Sequence, residues 1–149
     1  MPGPFPFNVG NILLCEDIRP EHYRRVSLLG IYSGDIIVQK MAGFLRVAIY
    51  AELFGERLGS GDAEVTVSYI DRPIVKMRTE FKFENFRDPS LFVVAPFSIT
   101  LDKAGDIKVV AMSGGVTKTL ITKRVRVGEL MTGSPSIGTA TMPPPARSA

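Results

Sequence analysis

From Val75 to Phe83 the chain alternates without a break, with Val75, Met77, Thr79, Phe81 and Phe83 on one parity and Lys76, Arg78, Glu80 and Lys82 on the other. Successive side chains of a β-strand point to opposite faces, so this spacing sends one largely apolar row to a core and one charged row to water. The preceding Glu64–Tyr69 alternates in the same way, with Asp71-Arg72-Pro73 turning the chain between them, which predicts an antiparallel hairpin. Leu45, Val47, Ile49, Ala51 and Leu53 keep the same period of two, whereas helical spacing would bring Arg46 and Glu52 close to the apolar side. Segment 44–54 therefore reads as a strand.

The stretch Ile12–Val38 organises the start of the chain. Ile12 to Cys15 is an apolar strand closing on Glu16-Asp17, a seven-residue polar loop runs from Arg19 to Arg25, and Val26 to Tyr32 returns as a second strand of a buried hairpin. Ser33-Gly34 predicts a bulge or bend, after which Asp35–Val38 continues that strand. Gly55 to Asp62 holds three glycines in eight residues and predicts a mobile surface loop. Pro96 has no N–H to give a ladder, so Leu91–Leu101 is expected at a sheet edge or broken there, with Phe97, Ile99 and Leu101 facing inward. Asp102-Lys103-Ala104-Gly105 predicts a turn with a positive φ at Gly105, and Gly114-Gly115 predicts a two-residue hairpin joining 106–112 to 116–127.

Eight or nine short strands with turn signals between them, and no amphipathic helix, predict an all-β fold: a single antiparallel β-sandwich, immunoglobulin-like or C2-like. Its expected extent is 9–128, after a Pro-rich arm over 1–8 and before a Gly, Ser, Thr, Ala and Pro tail over 129–149, which is expected to be disordered. At 149 residues such a chain buries enough surface to need no covalent staple. Cys15 is the only cysteine and lies in an apolar run, which points to a reducing cytoplasm. The N-terminus lacks the basic residues and apolar core of a secretory signal, and no apolar run approaches the ~20 residues that span a bilayer.

Leu13-Leu14-Cys15-Glu16-Asp17 and Val26-Ser27-Leu28-Leu29-Gly30-Ile31-Tyr32 resemble the opening of a family of short bacterial proteins of unknown function. Its members begin with a strand ending in Cys-Asp-Asp or Cys-Glu-Asp, followed by a Ser-Leu-x-Gly-Val/Ile-Tyr strand. Pro96-Phe97-Ser98-Ile99 and Gly105-Asp106-Ile107-Lys108-Val109 are similar to that family's closing pattern and to immunoglobulin-like sandwiches generally, with Ile107 where an aromatic is more usual. The resemblance covers about half the chain, implies a β-sandwich and carries no activity.

No catalytic, cofactor-binding or metal-ligating residue is assigned. Glu16, Asp17, Asp35, Asp71, Asp88, Asp102 and Asp106 lie at strand ends and turns, where C2-type sandwiches bind calcium, but Asp favours turns for local reasons and no Asp-x-Asp-x-Asp spacing occurs. His22 is the only histidine; a lone histidine builds no zinc site, and a nucleophilic pairing with Cys15 is opposed by the apolar setting of that thiol. Ser113–Thr119 lacks the spacing of a phosphate loop. The remaining candidates are basic: Lys76, Arg78 and Lys82 on one strand, and Lys118, Lys123, Arg124 and Arg126 on the last, a set suited to an anionic surface or to guarding edges against aggregation.

The expectation is thus a non-enzymatic structural or protein-interaction module with a protein partner. The alternative is a ligand-, calcium- or anionic-membrane-binding C2-like module. A net charge of +3 names no specific nucleic acid. With the Pro96 strand and the final strand as guarded edges, a monomer or weak dimer is expected.

Overall fold

The computed structural model describes residues 5–128, 138–141 and 143–145. Nine strands follow one another: β1 (Phe7–Pro20), β2 (Val26–Ile31), β3 (Ile36–Val38), β4 (Gly43–Gly55), β5 (Gly59–Tyr69), β6 (Arg72–Phe83), β7 (Ser90–Leu101), β8 (Gly105–Ser113) and β9 (Val116–Val127). They form a four-stranded sheet in the order β2-β1-β4-β7 and a five-stranded sheet in the order β3-β9-β8-β5-β6. The inner faces pack together as a β-sandwich. Leu14, Val47, Ile49 and Ile99 from the first sheet meet Val65, Val67, Ile107, Val109 and Val125 from the second in one core. Full burial of side chains this size is worth roughly 1.5–3 kcal/mol each, which is what holds the layers together.

The alternation read from the sequence is the alternation of burial. In β4, Leu45, Val47, Ile49, Ala51 and Leu53 all face the core, and β5 and β6 pair antiparallel from Gly59↔Phe83 to Tyr69↔Arg72. Where the inward parity changes along a strand, a bulge changes it. In β1, Phe7 and Val9 face inward up to Gly10, an extra residue opposite β4 lying beneath the Phe54 ring; beyond it, Ile12 and Leu14 take over. In β7, Phe92 and Val94 face inward, Ala95-Pro96 stand opposite the single residue Ala48, and inward positions continue as Phe97, Ile99 and Leu101. The bulge absorbs the proline at a strand that is indeed an edge. Gly114 and Gly115 have φ of 58° and 79° and close the β8–β9 hairpin as the two-residue turn expected of them.

Several expectations need correction. The N-terminal arm gives up its last residues to β1, where Phe7 pairs with Gly55 and is buried. The opening hairpin forms, with Pro20↔Val26 to Cys15↔Ile31 in register, but β2 is an edge strand and largely exposed rather than buried. Ile36–Val38 does not continue β2. It crosses to the other sheet and runs parallel to β9, pairing Ile36↔Val125 to Val38↔Val127, so one pair in the fold is parallel. Gly59 to Asp62 is ladder, not mobile loop, because β6 supplies partners from Phe83 to Glu80. The β5–β6 turn is at Ile70-Asp71, with φ of 50° and 58°. Gly105 takes no positive φ. Much of the expected disorder over 129–149 lies outside the described residues; 138–141 and 143–145 carry no regular structure.

Candidate functional site

The seven basic residues do not gather. Lys76, Arg78 and Lys82 lie on the outer face of β6, an edge strand, and each has an acidic neighbour: Glu64 at 3.3 Å, Asp62 at 3.4 Å and Glu84 at 3.5 Å. β9 lies three strand positions away, roughly 14 Å. Its own four cations are split between faces. Lys118 and Lys123 stand opposite the core residues Ala111 and Ile107 and so point inward, whereas Arg124 stands opposite Asp106 and points out, as does Arg126. Lys118 Nζ donates to Asn8 Oδ1 at 2.8 Å and to the Phe7 carbonyl at 3.4 Å, and lies 5.7 Å from the Phe5 ring centre. Arg126 Nε bonds Asp35 at 3.1 Å. These cations tie the sheets and the β3 crossover together, and β3 covers the far end of β9, so that strand is an open edge only before Val125.

The other candidates are also dispersed. His22 lies in the exposed loop after β1 with its ring beside Tyr23, whereas Cys15 is buried mid-strand, its Sγ 3.4 Å from the Asp17 carbonyl and 3.8 Å from that of Ala48. Burial pushes the Cys15 thiol pKa up; a backbone hydrogen bond from Asp17 to the sulfur opposes this and the Asp17 charge adds to it. Asp35, Asp88 and Asp102 are each drawn to a different arginine, and among the described residues no three His, Cys, Asp or Glu side chains converge as a metal site. One open depression is lined by Ser60, Gly61 and Asp62 of β5, Glu80, Phe81 and Lys82 of β6, and Ser90 at the start of β7.

What the fold does assemble is the outer face of the four-stranded sheet. Cross-strand register arranges its outward side chains in rows. Leu13, Tyr50 and Val93 form one row; Ile31, Cys15, Ala48 and the bulge residue Ala95 form the next. Neither row contains a charge. Leu29, Ile31, Leu91 and Val93 are 38–47% exposed here, while the small Cys15 and Ala48 are fully covered yet belong outside the inter-sheet core. Charge appears only at the two ends. Asn11, Glu52 and Leu91 make the row beyond Tyr50, with Asn11 Nδ2 donating to Glu52 at 2.7 Å. Arg46 lies on β4 beyond Ala48, opposite Ser98, its Nε donating to the Glu16 carbonyl at 3.1 Å. Tyr50, at the centre, has its pKa pushed up by burial and by the Glu52 charge.

Single-parity reading missed this face, although Leu13-Leu14-Cys15 and Leu91-Phe92-Val93-Val94 carry its signal. A run that is apolar on both parities marks a strand with two apolar faces. The opposite face of the molecule differs: Thr117, Thr119, Thr122 and Arg124 are exposed on β9, and Lys76, Arg78 and Lys82 on β6. Among the described residues no helix is long and apolar enough to cross a membrane. No protein-family model matches this chain, and no curated protein matches it in sequence.

Proposed function

We propose that this chain is a non-enzymatic protein-interaction module, acting in the cytoplasm, whose working surface is the outer face of the four-stranded sheet. The observation that carries the reading is two adjacent rows of uncharged, mainly apolar side chains, running from Ile31 across Cys15, Ala48 and Tyr50 to Val93. Depletion of charge at the centre with polar groups at the ends is how protein interfaces differ from ordinary surface, and an aromatic at the centre is a typical anchor. The motifs that carry the bacterial-family resemblance supply Leu13, Cys15, Leu29 and Ile31 to this face. The ligand- and membrane-binding alternative has less behind it, since the basic residues divide between two faces and pair with acids.

A photo-crosslinking residue placed at Val93 in cells, compared with one at Thr119 on the opposite sheet, tests the reading. Protein adducts specific to position 93 are expected. Equal or absent capture at the two positions would refute the assignment of this face.

A further inference from the structure

We propose that the face binds a second copy of this chain, the two sheets stacked about a two-fold axis that lies in the interface and crosses the strands at the level of Ile49. The inference rests on reading this face as an interaction surface. Leu14, Ile49 and Val94 are register partners across β1, β4 and β7, so one line across the strands passes through all three. Rotation about that line lays each strand over its own counterpart, reversed, and exchanges the row on one side with the row on the other.

The consequences are self-complementary on β1, β4 and β7. The bulkier row, Leu13, Tyr50 and Val93, falls over the row Cys15, Ala48 and Ala95 of the other copy; Cys15 and Ala48 are already covered within one copy, so the small residue met there is the exposed Ala95, with Val93 over it. Large over small is how packed layers interdigitate. Arg46 and Glu52 stand three residues to either side of Ile49 on the same face of β4, so each arginine meets the other copy's glutamate, twice by symmetry. On β1, Asp17 and Asn11 are likewise three residues either side of Leu14, which brings a carboxylate to an amide donor. A C2 interface requires such a patch, one that complements itself under reversal.

Size sets the strength. The patch spans roughly 20 Å by 20 Å from strand spacing and rise, about half the ~800 Å² per partner of a standard interface, so the dimer is weak.

Sedimentation velocity on the full chain from about 1 to 200 μM tests this. A reversible dimer is expected. Arg46→Glu and Glu52→Arg should each weaken it about tenfold, and the double reversal should recover to within about threefold of wild type. Within one copy these side chains are about 20 Å apart along β4, so rescue reports contact between copies and not repair inside one. Val93→Asp and Leu91→Asp, both at exposed positions, should abolish the dimer with thermal melts unchanged. A monomer at every concentration, a dimer indifferent to both aspartate variants, or reversals that add without rescue would each overturn the proposal. Adducts from position 93 to a different protein, with no self-adduct, would overturn self-pairing while leaving the interaction reading standing.

Discussion

Gly105→Ala should destabilise the protein through one neighbouring side chain. Gly105 opens β8 without a positive φ, so the backbone accepts alanine there. A Cβ at Gly105, however, would overlap Ile70 Cγ1 and stand 2.8 Å from its Cδ1. Ile70 cannot swing aside readily, because its β-branched side chain has few χ1 rotamers and packs against the core. Overpacking of this kind costs about 1–3 kcal/mol, against a gain of ~0.4–1 kcal/mol from the lost freedom of the unfolded chain, so the net loss should be about 1–2 kcal/mol. Ile70→Ala removes both clashing atoms and leaves Cβ at 3.6 Å, an ordinary contact. In that background Gly105→Ala should become neutral or stabilising by up to about 1 kcal/mol. Urea unfolding of the four proteins measures the coupling, expected at roughly 2 kcal/mol. An equal loss in both backgrounds would refute the argument and place the requirement in the backbone.

Tyr69 is fully buried and its hydroxyl donates to the Lys103 carbonyl, so Tyr69→Phe should cost about 1–2 kcal/mol in thermal or urea unfolding. Tyr32 has its pKa raised to about 12, first by burial, then by the charges of Glu16 and Cys15, while its hydroxyl donates to the Arg46 carbonyl at 2.8 Å. A raised folded-state value means its contribution is complete below the ordinary tyrosine range near 10 and is lost as pH climbs through about 12. Stability should fall over that window with a shallower slope in Tyr32→Phe; identical slopes in unfolding at stepped pH would count against it. Pro96→Ala, at an edge bulge, should change stability by no more than about 1 kcal/mol, whereas Ala51→Pro in central β4 should cost ~3 kcal/mol or more, a contrast that one melting series decides.

Local pattern carried the strands and left their partners open. Val75 to Phe83 and Leu45 to Leu53 were legible because burial in a two-layer fold follows parity along one strand, and Pro96 announced an edge because a missing N–H is a property of the residue itself. Ile36–Val38 was not legible as a crossing, since three apolar residues look the same whether they extend β2 or pair with Val125–Val127 far along the chain. Gly59 to Asp62 looked like loop because composition cannot count the ladder partners that β6 provides. The candidate face was half visible. Its residues sit in runs apolar on both parities, but its rows exist only once register brings Leu13, Tyr50 and Val93 side by side. The seven cations failed to form a surface because strand alternation sends Lys123 and Arg124 to opposite faces, while the β8–β9 register shift between Val109 and Val110 turns both Lys118 and Lys123 inward.

The parallel pairing of β3 with β9 has a consequence for the order in which the molecule acquires its shape. Apart from the β1–β2, β5–β6 and β8–β9 hairpins, its neighbouring strands are drawn from distant parts of the chain: β1 waits for β4, β4 for β7, β5 for β8, and β3 for β9. Loop closure must be entered at an entropic loss before such pairings return anything, so folding belongs in the millisecond-to-second range typical of sandwiches. During synthesis Ile36 has no strand to lie against until Val125 has emerged. On the ribosome, the protein therefore passes through a period as a set of unclosed hairpins, when it depends most on whatever shields nascent chains from one another.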